Sequence, residues 1–328
     1  MTKLRVLFNS VETIDTTDVF ARLKSLGIRD VSMFCDLDAP CLPPHFEKAS
    51  REFDRVFVNV MHRSAFVNEE GWRRKLKDDC ADKLAGMASL GINDYAFMIE
   101  CNLYGLRWHP SLKGYVSRDR LVDTFNTFYS CAHEVNPDAN VILVPYPNPL
   151  MNLSCGIRGW KDWWVRYGER MKFDRVALDS HVGVWIFAPT RRSAARRLAS
   201  AAGFLIERGH PPLYVEVGYP TTGIKPLLGL FGWGREKDQV RLLDACLESL
   251  SLAGVEWMQI CECIDPATDR VYDTLLLGDR GMIPRAFGLV PVIEEKHWGL
   301  FNSNGSEKAA CEWVRGTGGI RQASRPRR

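Results

Sequence analysis

Short runs of β-branched and aromatic residues alternate eight times with amphipathic stretches of helical period, and this alternation limits the fold more than any other feature. The runs begin at Arg5 (RVLFNS), Asp30 (DVSMFC), Arg55 (RVFVNVMH), Tyr95 (YAFMIEC), Asn140 (NVILVPY), Arg175 (RVALDSH), Pro212 (PLYVEV) and Val255 (VEWMQIC). Helical periodicity occupies 17–26, 72–90, 118–135, 160–171, 191–208 and 237–252. Several of these stretches stop on a glycine just before the next run, at Gly27, Gly91, Gly209 and Gly254. The second connection is the weakest, because residues 38–52 are proline-rich at first and only briefly helical. At a mean spacing of roughly 36 residues, eight strand–helix pairs predict an α/β chain closed into a (β/α)8 TIM barrel. A doubly wound open sheet explains the same alternation but brings a glycine-rich first turn. Here that turn reads NSVETIDTTD, and no dinucleotide or P-loop glycine motif occurs elsewhere.

One domain is expected over residues 1–316, with extended βα loops, followed by a basic tail over 317–328. A formal net charge of +3 is too weak to imply nucleic acid, and four arginines in the tail without an aromatic platform add little. No run approaches eighteen uninterrupted apolar residues, so no membrane span is expected. The N-terminus enters an apolar alternation directly, without a secretion-type segment. Ten cysteines are scattered without a CxxC pair, the usage of reduced and mostly buried thiols. The expectation is a cytoplasmic protein without cofactor or bound metal, acting on a small molecule or oligosaccharide.

In such a barrel the reacting groups stand at the carboxyl ends of the strands. Those positions hold Asn9, Cys35–Asp36, His62, Glu100, Tyr146, Asp179–His181, Glu216 and Glu262. Glu100 ends YAFMIE and Glu216 ends LYVE, so each carboxylate stands where an apolar run stops and must reach a cavity or find a partner. Either one alone is as easily a rim charge as a reacting group. As a pair on strands four and seven, which face one another across the mouth, they favour chemistry.

Those two glutamates, with VEVGYPTTG around the second, resemble the retaining glycoside hydrolases of the large (β/α)8 clan, clan A. Three further segments are similar to clan passages. HEVNPDANVILVPY leads into strand five, ALDSHVGVW forms strand six, and HWGLFNSNGSEKAACEW closes the barrel. The resemblance implies Glu100 as general acid/base and Glu216 as nucleophile, with carboxyls about 5 Å apart. It also implies substrate contacts from His62, Asn102, Tyr146, His181, Trp185, Tyr219, Trp233 and Glu262. Tyr214, on the same face as Glu216, is a further source of hydrogen bonds. Two departures stand out. Ile99 occupies the place of the clan's asparagine, with Asn102 beyond the glutamate instead, and the eighth strand reads VEWMQICECIDP, where Trp257 lies deep for a sugar floor. Trp108, Trp185, Trp233 and Trp298 fall in loops after strands, where aromatic faces can stack on sugars. The segment GIKPLLGLFGWGRE after strand seven reads as a lid or an aglycone pocket.

Two other readings remain open. A metal-dependent lyase or isomerase would use Glu100, Asp179, His181, Glu216 and Glu262 as oxygen-rich ligands. A non-hydrolytic barrel would bind a glycan or a partner protein. Cysteine nucleophilicity is the weakest option, because Cys101 beside Glu100 points to the opposite face of its strand.

Overall fold

The computed structural model describes residues 2–8, 16–62, 70–102, 117–147, 159–180, 191–219, 221, 235–265 and 299–320. Within these, eight parallel strands close a barrel in sequence order, β1 pairing with both β2 and β8. The strands are β1 (Lys3–Phe8), β2 (Asp30–Asp36), β3 (Arg55–Met61) and β4 (Asp94–Phe97), then β5 (Asn140–Leu143), β6 (Arg175–Leu178), β7 (Pro212–Gly218) and β8 (Trp257–Cys261). Around them run α1 (Thr16–Ser25), α2 (His45–Glu52), α3 (Trp72–Ser89) and α4 (Arg118–Val135). The ring continues with α5 (Trp160–Arg166), α6 (Arg191–Ile206), α7 (Glu236–Leu252) and α8 (Ala309–Ile320). The (β/α)8 expectation holds. The brief helix after the second strand is α2, and α8 carries the first four residues of the expected tail.

The glycines that stop helices do so for a backbone reason. Gly27, Gly91, Gly209 and Gly254 all have positive φ, between 74° and 82°, the left-handed conformation that a side chain disfavours. At the other end, Ser117 caps α4 by accepting from the Arg120 backbone N–H at 3.1 Å, a contact of about 1 kcal/mol. Leu121, Phe125, Phe128 and Ala132 then recur at helical spacing and are all buried. Phe128 stacks on Phe97 of β4, with ring centroids 4.0 Å apart.

Strand alternation sorts the side chains into two layers. Val6 and Phe8 of β1, or Val58 and Val60 of β3, join the main apolar cluster shared with the helices. Phe57, Ala96, Ile142, Ala177, Tyr214 and Trp257 fill the inside of the barrel. The floor is a stack of cations and rings. Arg55 grips Asp94 at 2.6 and 2.7 Å, its guanidinium carbon 5.0 Å from the Trp257 ring centre. Trp257 meets Phe57 at 5.5 Å and donates its indole N–H to Asp30 at 3.0 Å. Trp257 is therefore core, at the closed end of the barrel.

Two of the quoted motifs have structural work. In NPDA, Asn136 donates to Asn93 and accepts from the Asp138 N–H, tying the α4–β5 turn to the start of β4. In the closing segment, Leu300 and Phe301 donate their backbone N–H groups to Glu262 and Cys263, beyond β8. Gly299 is required there, because a Cβ would lie 2.5 Å from the Asp265 nitrogen. Lys308, 3 % exposed, pairs with buried Asp265 at 2.7 Å.

Candidate active site

Glu216 sits inside the barrel on β7, 3 % exposed. Its register partner on β8 is Gln259, which is also the register partner of Arg5 on β1. One row thus crosses three strands as Arg5, Gln259 and Glu216. Arg5 donates through Nε to Gln259 Oε1 at 2.6 Å and through Nη2 to the same oxygen. Ser32 of β2 adds its hydroxyl to that oxygen at 2.6 Å. Gln259 Nε2 in turn donates to Glu216 Oε2. The next inward residue of β8, Cys261, also reaches the Glu216 carboxylate; burial, with the nearby Glu216, Glu262 and Asp179 charges, drives its thiol pKa well up. It is therefore a protonated thiol, and its S–H is a donor.

Arg5 is fully buried, sandwiched between the Phe57 and Tyr214 rings with its guanidinium carbon 3.7 Å from each centre. Burial pulls its pKa down to about 10, against the pull of Tyr214, Asp94 and Glu216 in the other direction, so the group is a cation at neutral pH. Burial first, and the Glu216 and Asp179 charges after it, keep the Tyr214 phenol protonated to unusually high pH, although Arg5 opposes them. Tyr214 lies below Glu216 and packs on Arg5.

Glu100 follows β4 through an unusual backbone. Met98 and Glu100 have φ of 54° and 56°, left-handed values that cost a non-glycine residue roughly 1 kcal/mol or more. The strand alternation breaks at that point. Met98 enters the outer cluster, while Ile99 packs against the inner one, so the residue in place of the clan's asparagine faces the barrel interior. Glu100 emerges half-buried just beyond the strand. Cys101 is buried, its thiol pushed up mainly by that burial and directed at the Val144 carbonyl at 3.8 Å. A neutral, enclosed thiol is no nucleophile.

The remaining expected residues have different surroundings. Asn102 and Tyr146 meet: the Asn102 amide donates to the Tyr146 carbonyl at 2.9 Å and accepts its N–H at 2.6 Å, joining the ends of β4 and β5. Glu262 is buried beside Cys261 and Cys263. Tyr219 is buried in the outer cluster, its carbonyl accepting from Gln239 of α7 at 3.4 Å. His62, at the end of β3, binds Asp79 of α3 at 2.7 Å with Asp38 at 3.6 Å. His181, Trp185 and Trp233, like Asn9, Trp108 and Trp298, lie outside the described residues.

Among the described residues, Asp38, His62 and Asp79 form the one set of three metal-type donors within 4.8 Å. A cation already serves it, for Lys75 Nζ lies 2.6 Å from Asp38 and 2.5 Å from Asp79. The carboxylates named for the lyase reading form no such set there.

Strand-end reasoning overlooked Arg5, Gln259 and Cys261. Arg5 reads as a charged flank of RVLF, but β1 begins at Lys3, which puts Arg5 two residues into the sheet. Asn59 was overlooked too. It shares the inward parity of Phe57 on β3, and neither amide atom has a hydrogen-bond partner among the described residues.

No protein-family model and no curated protein matches the chain. Solved structures do. A Bifidobacterium dentium β-glucuronidase in complex with coumarin-3-O-glucuronide superposes with a TM-score of 0.64 at 15% identity, over 97% of this chain and 47% of that one. An exo-β-1,4-mannosidase from an Opitutaceae bacterium gives 0.60 at 14%, covering 96% and 59%. The Ignisphaera aggregans GH53 catalytic domain gives 0.59 at 14%, covering 94% and 90%. The chain spans about half the length of the β-glucuronidase. At these identities the likeness concerns the fold alone, a barrel that these glycosidases also adopt.

Proposed function

We propose that the chain is a retaining glycoside hydrolase, with Glu216 as nucleophile and Glu100 as general acid/base. One observation carries the reading: a buried carboxylate at the mouth end of β7 accepts from an amide and a thiol on β8, inside a barrel shared with known glycosidases. Donors to a carboxylate favour its charged form, which is the form that attacks an anomeric carbon. Glu100, half-buried at the end of β4, is the partner that protonates the leaving oxygen and then activates water.

The mechanism proceeds in two steps. Glu216 forms a bond to the anomeric carbon as the glycosidic bond breaks, and the proton of Glu100 passes to the departing oxygen. Water then loses a proton to Glu100 and displaces Glu216, which restores both groups and the starting anomeric configuration. The substrate class is a small β-glycoside. The glycosidase neighbours support it, as does the buried Asn59 amide inside the barrel. The nine described cysteines are all free, in keeping with a reducing, cytoplasmic setting. Among the described residues no helix is long and apolar enough to cross a membrane.

The test uses 4-nitrophenyl and 2,4-dinitrophenyl β-D-glycosides of glucose, galactose, mannose and glucuronic acid. Glu100→Gln is expected to slow bond cleavage by roughly 10²–10⁴-fold for the poorer leaving group and far less for the better one, which needs no proton. The first sugar released should keep the β configuration by NMR, and exhaustive chelation should leave the rate unchanged. Full activity of Glu100→Gln on both leaving groups, or an inverted product, overturns the assignment.

A further inference from the structure

We propose that Arg5, acting through Gln259, is a positioning residue that holds Glu216 as a carboxylate in one orientation. This deepens the reading of Glu216 as nucleophile and rests on it for its catalytic consequence.

The argument is an inventory of donors and acceptors. An arginine side chain has five N–H donors and no acceptor, and the Ser32 hydroxyl also points its donor at Gln259 Oε1. The Gln259 amide therefore cannot turn over: its oxygen must face Arg5 and Ser32, and its NH2 must face β7. The NH2 group can only donate, so the Glu216 oxygen opposite it must accept. A proton on that oxygen would set two donors against each other inside the barrel, where Glu216 is 3 % exposed and an unsatisfied polar group is costly. The Cys261 thiol adds a second donor from the same strand.

Charge acts in the same sense. Among the described residues, the titratable and charged groups around Glu216 are Arg5 on β1, Asp179 after β6, Tyr214 on β7, and Cys261 and Glu262 at the end of β8. Tyr214 and Cys261 stay neutral. The two carboxylates oppose ionisation of Glu216, as does its burial. Arg5 is the one cation in that set, and an opposite charge in a low-dielectric interior favours the carboxylate form. Ring contacts with Phe57 and Tyr214 fix where the cation sits, and a guanidinium tolerates such stacking better than an ammonium does.

The experiment is a carbon-13 NMR titration of the full chain carrying side-chain-labelled glutamate, with the Glu216 carboxyl signal assigned by its loss in Glu216→Gln. In the native protein Glu216 is expected to titrate at or below the ordinary glutamate value of about 4.3 despite its burial. Gln259→Met, which cuts the link and keeps the cation, should move the midpoint up by about one unit or more, and Arg5→Leu should move it further. Arg5→Lys keeps the charge and should move it least, and it serves as the variant that perturbs only the hydrogen bonds should Arg5→Leu not fold. The acidic limb of kcat/KM on the nitrophenyl glycosides should rise by the same amount in each folded variant, with KM little changed. A native midpoint well above the ordinary range, or one that folded Gln259→Met leaves in place, overturns the proposal. Midpoints that move as expected in a protein that hydrolyses no glycoside would instead overturn the glycosidase reading and leave the positioning role intact.

Discussion

Among the places where a cation meets carboxylates, the rim and the barrel interior do so differently. At the rim, Lys75 touches Asp38 and Asp79 directly, His62 completes the group, and Lys75 and Asp38 are exposed to solvent. Inside the barrel, Arg5 never touches Glu216. An amide stands between them, and Arg5, Gln259 and Glu216 are all buried. Direct contact at the rim saturates both partners and leaves a structural tie between the β2–α2 connection and α3. The inserted amide in the barrel transmits the cation's influence and leaves the carboxylate's other oxygen outside that bond. The same residue chemistry thus yields a strut in one place and a proposed nucleophile in the other.

The largest expected difference is catalytic. Glu216→Gln should lower hydrolysis on the order of 10⁴-fold or more, the scale of removing a nucleophile, whereas Lys75→Met should change kcat by less than about twofold. Steady-state rates on the most active nitrophenyl glycoside read both, and similar losses for the two variants would erase the distinction.

A second test separates burial from contact. Lys308 and Asp265 touch as directly as the rim groups do, yet both are buried, and burial lowers the Lys308 pKa more than Asp265 restores it. Lys308→Met leaves the Asp265 charge without its cation and should cost about 3–5 kcal/mol in denaturant unfolding. Lys75→Met should cost at most about 1 kcal/mol, and less in high salt.

The smallest effect is the pH dependence of the rim. Burial tends to raise the Asp79 pKa, but the bonds from Lys75 and His62 outweigh it and hold the carboxyl below its ordinary value. A carboxyl depressed in the folded state contributes stability above its unfolded pKa and loses it as the pH falls through the lower, folded one. The rim's contribution should therefore be intact at neutral pH and vanish only below the ordinary carboxylate range. Asp79→Asn should narrow its stability gap to the native protein as acid is added through that window, measured by urea midpoints; a constant gap would contradict the assignment.

Much of the barrel was legible because strand and helix periods are local properties. The runs at Asp30, Arg55, Asn140, Arg175 and Pro212 begin where the strands do, and the 118–135 periodicity matches α4 to the residue. Glu216 stands out in the same local way, as a lone charge within an apolar run, and the structure buries it two residues before β7 ends. Arg5 was not, since its role depends on Gln259, 254 positions away, and on two rings from β3 and β7. The reversal at Met98 and Glu100 was hidden as well, because neither is a residue type that announces a left-handed backbone. His62 shows the converse: a strand-end histidine suggests a mouth ligand, but the partner that takes its Nε2 comes from α3.

The most direct test of the central claim is covalent trapping. Incubation with a panel of 2-deoxy-2-fluoro-β-D-glycosyl fluorides of glucose, galactose, mannose and glucuronic acid, followed by intact-mass and peptide analysis, should place one sugar on Glu216 and none on the Glu216→Gln variant. An adduct on another residue, or none from any sugar in the panel, would contradict it.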